Sequence, residues 1–492
     1  MKFQIDFGQP PSGAARREAG RAFEILVMGA FSGDEPLPAE ATARFAARAV
    51  DLDTFDAVFA ALRPRIALEL SELGGARVAL SFESLEDFHP DALFRQCAWF
   101  AALKERRARL ADAATFRQTA NEMLDTAKQD APLQDGENAM FERLLGSSRQ
   151  TGAAAAPAAP TAVLQKLISR VVAPHIVQDV APEQQRYLAA LDTTISGLMR
   201  AILHAPAFQA LEAAWRALRA LIDETGGGEE VKVFVLDIGR QRALDEIACG
   251  GDNLVASRLY EALVGRGEKS PDALPYSLIV GDYAFGPAEE DLRILAVLGS
   301  LARRAGAGFV GAARPAVAGC TSFGDGSDPM TWSLSPEVSE TWRTLRKQPF
   351  CASVALAAPR TLARLPYGKS FDAIDSFAFE ELDADSGHEA LLWANPGFSL
   401  ARLLVRSFLD DGWDMRAGSQ LEIDDLPAVV RHHGDARALQ ACAEAYLPER
   451  AGEKLLSLGL VPLLSHEKRP AVRLMRMQSI ADPPAGFAGP WK

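Results

Sequence analysis

Apolar residues along the chain recur with two periods, and where the period switches the elements can be read. From Pro206 to Glu224 they return every three to four positions, with Phe208, Leu211 and Trp215 at helical spacing, so the segment predicts a helix. Gly226-Gly227-Gly228 turns the chain into Val231 to Asp237, where alternation and β-branched residues predict a strand. The pattern repeats further on. Tyr276 to Val280 predicts a buried strand ended by Gly281-Asp282, followed by a helix over Glu289 to Ala305 and strands at Gly308 to Ala312 and Ser353 to Ala357. Helices are also expected over Val163 to Val172 and Pro182 to Leu203. Strand–helix–strand alternation of this kind predicts an α/β (α+β) fold with mixed, mostly parallel sheets flanked by helices.

The N-terminal part carries its own set of elements. Phe23 to Met28 is an apolar run closed by Gly29, with Ser32-Gly33-Asp34 as a turn, and reads as a buried strand and loop. Asp53 to Leu62 places Phe55, Val58, Phe59 and Leu62 on one helical face, with Asp53 as the expected N-cap. Strands are expected at Arg65 to Leu70 and Arg77 to Phe82. One helix from Pro90 to Leu110 should bury Leu93, Phe94, Cys97 and Phe100. Beyond it, Asn138 to Gly146 predicts a short amphipathic helix, and Ser147 to Pro160 (SSRQTGAAAAPAAP) is small-residue low complexity that reads as a tether. The expected division is therefore residues 1–110, a helical and tether stretch over 111–160, and a larger unit over 161–492.

Bulk composition narrows the classes of function. At 492 residues the chain is long for one domain, and 48% hydrophobic with 24% charged residues suits a packed globular protein. The formal net charge of -13 argues against an electrostatic grip on nucleic acid or an anionic membrane, both of which need a basic surface. Five cysteines, Cys97, Cys249, Cys320, Cys351 and Cys442, lie far apart with no CxxC pair, which predicts reduced, mostly buried thiols. No signal-peptide pattern and no membrane-length apolar run is visible, so the expected location is the cytoplasm.

The residues that could carry catalytic chemistry each have a structural reading. Arg364 to Ser370 (RLPYGKS) holds a GKS, but the phosphate loop needs a glycine where Ala363 stands, and Pro366 removes a backbone donor, so a structural turn is expected. Gly226-Gly227-Gly228 precedes a strand and not a helix, unlike a dinucleotide loop. His432-His433 are read as a solvated turn before Gly434-Asp435, without metal-ligand spacing. Glu289-Glu290-Asp291 complements a helix N-terminus. Glu380-Glu381-Leu382-Asp383 is read as a solvated loop face. No GxSxG occurs. The expectation is no catalytic, cofactor-binding or metal-binding residue, no cofactor and no enzyme activity.

The motif blocks carry a resemblance. His204 to Leu218 (HAPAFQALEAAWRAL) resembles the HPEFQ…LE…WRGL block of the large contractile-sheath subunit of type VI secretion systems. Leu278 to Phe285 (LIVGDYAF) is similar to its IGDYEF, and Ala355 to Gly368 (ALAAPRTLARLPYG) to its LTLPR…LRLPYG. Phe379-Glu380-Glu381, then Leu392 to Asn395, and Gly459 to Leu464 follow in the family's order. The first part resembles the small sheath subunit instead: Phe23 to Gly33 is similar to its VLGDFSG, with Ala30 in place of the acid. Val50 to Arg65 and Leu80 to Pro90 resemble its DRDNFDEVLAAIAPR and LTFRSLDDFSP.

The resemblance implies a sheath-type fold of two fused domains, small subunit, tether and large subunit in one chain. It implies a structural component that assembles with other sheath subunits around an inner tube protein, with a baseplate and a recycling AAA+ ATPase as further partners. Met140 to Leu145 is the nearest counterpart of the segment that ATPase recognises. In the family the large subunit continues past the block represented by Gln478-Ser479 and exchanges terminal strands between protomers, so a C-terminally shortened large-subunit part is expected here. A cap or adaptor paralogue of the same machine is the alternative reading, and a cytosolic α/β enzyme a third. The enzyme reading would require polar groups converging in a deep pocket near Gly281-Asp282-Tyr283 or Tyr367-Gly368-Lys369.

Overall fold

The apolar run Phe23–Gly29 forms strand β1, buried along its whole length, and the rest of the fold is arranged around it. The computed structural model of the chain describes residues 20–33, 45–71, 75–130, 180–250, 254–266, 275–324, 328–383, 386–433 and 436–491. The helices expected over Val163 to Val172 and Asn138 to Gly146, the tether and the Met140 to Leu145 segment lie outside the described residues.

After β1 come β2 (Arg48–Val50), α1 (Phe55–Leu62), β3 (Arg65–Leu70), β4 (Ala76–Ser81), α2 (Pro90–Gln96), α3 (Ala98–Ala111) and α4 (Phe116–Asp130). The second part opens with α5 (Val180–Leu203), α6 (Pro206–Glu224), β5 (Val231–Asp237), α7 (Arg240–Gly250), β6 (Leu278–Phe285) and α8 (Glu289–Ala305). It continues with β7 (Gly308–Ala313), α9 (Pro336–Arg346), β8 (Val354–Ala358), β9 (Thr361–Leu362), β10 (Trp393–Ala394) and α10 (Pro396–Asp411). The last elements are β11 (Glu422–Ile423), β12 (Val430–His433), β13 (Ala436–Leu439), α11 (Glu449–Ser457), β14 (Val461–Ser465) and β15 (Val472–Leu474).

Nine strands join one sheet in the order β11-β15-β14-β8-β7-β6-β1-β5-β2. From β5 to β14 the pairings are all parallel. The edges, β2 on β5 and β15 and β11 beyond β14, are antiparallel. The mixed, mostly parallel sheet expected from the alternation is thus present, with helices on both faces. Alternate residues of β1 feed the two faces: Phe23, Ile25 and Val27 join the core beneath α6 and α10, while Leu26 and Met28 join the one beneath α8. β1 pairs with β5 from Phe23 to Gly29 and with β6 from Ile25 to Met28. A strand of the first part therefore lies between two strands of the second.

Three local expectations change. The helix expected over Pro90 to Leu110 breaks at Cys97, whose backbone is extended (φ -80°, ψ 120°). The break lets Phe94 and Phe100, ring centroids 5.3 Å apart, enter the same core. Asp53 does not cap α1. Thr54 stands at the cap position, and Asp51 Oδ1 accepts from the amides of Asp53 (3.0 Å) and Thr54 (2.8 Å), so the turn belongs to Asp51. Finally, Gly281-Asp282 does not end its strand; β6 runs on to Phe285, with a register irregularity against β7 between Val280 and Ala284.

Candidate functional site

The motif blocks that are far apart in sequence meet along α6. Trp215 is fully buried, and its indole Nε1 donates to the Phe31 carbonyl (2.9 Å) just past β1. Its ring contacts Phe31, Phe55 and Phe59 at centroid distances of 5.1, 5.7 and 4.3 Å. Two turns earlier, Phe208 meets Phe88 at 5.5 Å and Phe82 at 6.0 Å. A helix of the second part is thereby set on the aromatic residues of the first. Such a contact combines large apolar area with ring geometry and one satisfied donor.

Beside this aromatic joint lies a buried ionic network. Glu212 (0% exposed), Glu381 (1%) and Arg364 (7%) are enclosed together. Arg364 donates to both carboxylates in bidentate fashion: Nε and Nη2 to Glu212 at 2.7 and 3.2 Å, and Nη1 and Nη2 to Glu381 at 2.8 and 3.0 Å. Arg216 Nε donates to Glu212 at 2.8 Å, and its Nη2 to the Tyr367 hydroxyl at 3.0 Å. The Tyr367 amide donates to Glu381 Oε2 at 2.7 Å, and the Arg364 guanidinium lies 4.0 Å from the Tyr367 ring centroid. Two carboxylates face two guanidinium groups, so the enclosed charge balances. Burial alone would raise the Glu212 carboxyl, but Arg364 and Arg216 hold it below its usual range. Burial also opposes charge on Arg364, and Glu212 and Glu381 overcome it, holding the group well above the ordinary guanidinium value. Burial and the neighbouring Glu212 charge push the Tyr367 hydroxyl up.

Glu381 therefore corrects the expectation of a solvated acidic loop face. Glu380 and Asp383 are exposed, while Glu381 points inward because Arg364 is there to meet it. The RLPYGKS stretch is a structural turn, as its sequence implied. Gly368 has φ 153°, and a Cβ there would collide with Glu380 Oε2. The Gly368 amide donates to the Asp372 carbonyl, and the Lys369 amide to Glu380 Oε1. From this turn the chain runs as a clasp over the first part. The amides of Asp375 and Ser376 donate to the Asp91 carboxylate at 3.1 and 2.9 Å. Phe377 meets Phe94 at 4.8 Å, and His89 stands edge-on to Tyr367 at 4.9 Å.

A second convergence lies at the carboxyl ends of β1 and β6. The irregular stretch of β6 frees the carbonyls of Gly281 and Tyr283, and Asn395 Nδ2 donates to both, at 3.4 and 3.1 Å. Asn395 Oδ1 meanwhile caps α10 by accepting from the Gly397 amide at 2.8 Å. Gly397 passes so close to Gly311 of β7 that a Cβ would come 2.9 Å from its Cα. In chain order the parallel strands are arranged 2-1-3-4-5-6, and sheets of this kind bind ligands where the order reverses, at β1 and β6. Here the chain's own groups fill that place. Phe31 and Trp215 pack there, Ser32 N donates to Asp237 Oδ1 at 3.0 Å, and the Tyr283 hydroxyl donates to the Ile238 carbonyl at 2.5 Å. Asp282 keeps some solvent contact, yet so much protein surrounds its carboxyl that burial pushes it up to about 7, against a hydrogen bond with Asn395 that lowers it. A larger cleft, about 610 Å³, lies elsewhere, between Phe323, Trp332, Tyr446 and Arg450.

Among the described residues one set of side chains has metal-ligand spacing: His388, Glu389 and Glu444 bring ligand atoms within 4.8 Å of one another. Arg360 already stands where a cation would. Its Nη2 donates to Glu444 Oε1 (2.5 Å) and to both Glu389 oxygens (2.9 and 3.1 Å), and its amide and Nε also serve Glu444. His432-His433 belong to strand β12, paired antiparallel with β13, and not to a turn. Glu289-Glu290-Asp291 occupies the first turn of α8 as expected, but Asp291 is also buried and pairs with Arg240 at 2.7 Å. All five cysteines are free; Cys97, Cys351 and Cys442 are buried, Cys320 is half-buried and Cys249 exposed. Burial pushes the Cys351 and Cys442 thiols up to about 12 and about 11. No described helix is long and apolar enough to cross a membrane.

Comparison with known proteins agrees with this convergence of motifs. Residues 185–481 match the family described as EvpB/VC_A0108, tail sheath N-terminal domain. Residues 3–135 match that described as type VI secretion system VipA, VC_A0107 or Hcp2. The chain is 30% identical over 322 residues to the type VI secretion system sheath protein TssC1 of Pseudomonas aeruginosa, covering 63% of each protein. It is 33% identical over 118 residues to sheath protein TssB1 of the same organism, covering 22% of this chain and 69% of that one. The chain thus spans less than two thirds of the length of TssC1.

Proposed function

The chain belongs to the tail sheath family of type VI secretion proteins, and from that membership we propose that it is a structural subunit of a contractile sheath, assembling with other protomers around an inner tube and carrying out no catalysis. The observation that carries the reading is the position of β1. It comes from the region matching the small-subunit family, yet it lies between β5 and β6 of the region matching the tail sheath family. What two relatives supply as separate proteins is joined in one polypeptide, read as two fused parts with a tether between them. Fusion fixes their stoichiometry and raises their effective concentration.

A non-enzymatic role is supported by where the polar groups are spent. The switch-point crevice is filled from within, and Arg364, just before the LPYG motif, is paired with Glu381 of the FEE motif and with Glu212. Work in this reading comes from interfaces between protomers that have two stable arrangements, not from chemistry. The inner tube protein, a baseplate and a recycling AAA+ ATPase are the further partners proposed, and the cytoplasm the place of assembly. Negative-stain electron microscopy of the purified chain, with its mass in solution, tests the proposal. Tubules or stacked rings, alone or on adding a sheath of the same family, support it. A uniform monomer that joins no such assembly refutes it.

A further inference from the structure

The pairing within the ionic network leaves one side chain out. His204, just past the end of α5, has its Nε2 shielded from solvent and without a hydrogen-bond partner, 3.8 Å from Glu381 Oε1. Glu381 is already committed: Arg364 donates to both of its oxygens and the Tyr367 amide donates to Oε2. The charged groups facing the imidazole come from each element around it: Glu381 and Asp383 from the stretch after the clasp, Arg364 from its base, and Arg200 from α5. Arg200 is itself engaged, with Nε donating to the Glu380 carbonyl at 2.9 Å and Nη1 3.4 Å from Asp383. Two negative groups face two positive ones, so the field offers little net preference. Burial dominates and holds the imidazole below its ordinary value.

We propose that His204 is a proton-sensitive latch beneath the 366–381 clasp: as a neutral ring it leaves the Glu381–Arg364–Tyr367 closure intact, and as an imidazolium it opens it. A proton on Nε2 needs an acceptor, and the nearest is Glu381 Oε1. Drawing that oxygen toward His204 takes it from Arg364 and adds a third cation beside Arg364 and Arg200. When the clasp lifts, the ring is hydrated and accepts its proton at the ordinary value of 6.5. The open form then binds more protons than the closed one, so closure is fully favoured above that value and lost as the pH falls below it. One unit below, a single extra proton raises the open population by at most about tenfold.

Hydrogen exchange of residues 364–383 in the full chain, at about pH 7.5 and about pH 5.5 with rates corrected for intrinsic exchange, reads that population. Wild type should lose protection, by at most about tenfold, between the two, and His204→Gln should lose none. His89 at the far end of the clasp, 3.6 Å from Asp91 and 3.9 Å from Asp372, is present in both proteins, as is Asp282, so the difference between them isolates His204. An equal loss in both proteins, or none in wild type, overturns the proposal. A second readout needs no variant: in the wild-type imidazole NMR spectrum the His204 ring should titrate below its ordinary value of 6.5, and titration at that value overturns the latch.

Discussion

Removing Arg364 tests whether the buried ionic network anchors the clasp that reaches the first part at Asp91. In Arg364→Met the side-chain volume is nearly kept, but four hydrogen bonds to the carboxylates of Glu212 and Glu381 are lost. Glu212 retains Arg216 at 2.8 Å, whereas Glu381 retains the Tyr367 amide but no guanidinium. The enclosed charge goes from balanced to one net negative. Breaking a buried pair in this way costs about 3–5 kcal/mol, a large share of the roughly 5–15 kcal/mol that a folded domain has in hand. The assay is urea unfolding followed by tryptophan fluorescence, because Trp215 lies beside the network and urea does not screen charge. A companion variant, Arg364→Met with Glu381→Leu, should recover most of the loss, since it removes a carboxylate together with its guanidinium and leaves Glu212 paired with Arg216. If Arg364→Met unfolds within about 1 kcal/mol of wild type, the network behaves as a surface pair and the reasoning fails.

Three further outcomes are expected. Trp215→Ala should cost about 3–5 kcal/mol as a buried aromatic truncation, with loss of soluble protein on expression; unchanged stability and solubility would count against the aromatic joint. Asp282 has a folded value of about 7 against an ordinary 3.8, so its contribution to stability falls as the pH rises from about 4 to about 7, by at most about 4 kcal/mol at 1.36 per unit; Asp282→Asn should flatten that part of the stability–pH curve, and an unchanged curve would remove Asp282 from it. A protease site placed within residues 147–160 should, once cut, leave two pieces that co-elute, because β1 is paired on both sides by strands of the other piece; separation in native buffer would show that the shared sheet does not hold them.

How much of this was legible depends on which interaction sets each feature. The helix over Pro206 to Glu224 and the strand over Val231 to Asp237 are found where the apolar period placed them, because local pattern and burial agree there. The irregularity in β6 was hidden, since Gly281-Asp282 looks like a stop until Asn395, 112 residues from Tyr283, arrives to satisfy the carbonyls. Glu381 was misread for the same reason. A carboxylate in an acidic run reads as solvated unless its partner is known, and Arg364 and Glu212 lie 17 and 152 positions from their counterparts. The one available signal was the charged residue inside each apolar motif, Glu212 between Leu211 and Trp215, and Arg364 before Leu365. Charges set within apolar surroundings imply partners, though not which ones.

The same distances bear on how a subunit of this design would transmit force. The sheet, the aromatic joint at Trp215 and the clasp that meets Asp91 each cross between the two family-matched parts. Shifting one part against the other would break parallel strand pairing on both sides of β1 at once, together with the enclosed contacts of Trp215 with Phe31, Phe55 and Phe59. A rearrangement between protomers faces no such coupled loss, because the groups that could slide there are not enclosed within the chain. In a contractile assembly built from this chain, the motion would therefore fall between protomers while each moved as a body. Amide protection in β1, β5 and β6 measured before and after contraction decides the point: unchanged values support rigid protomers, and a loss in β1 would place the moving joint inside the chain.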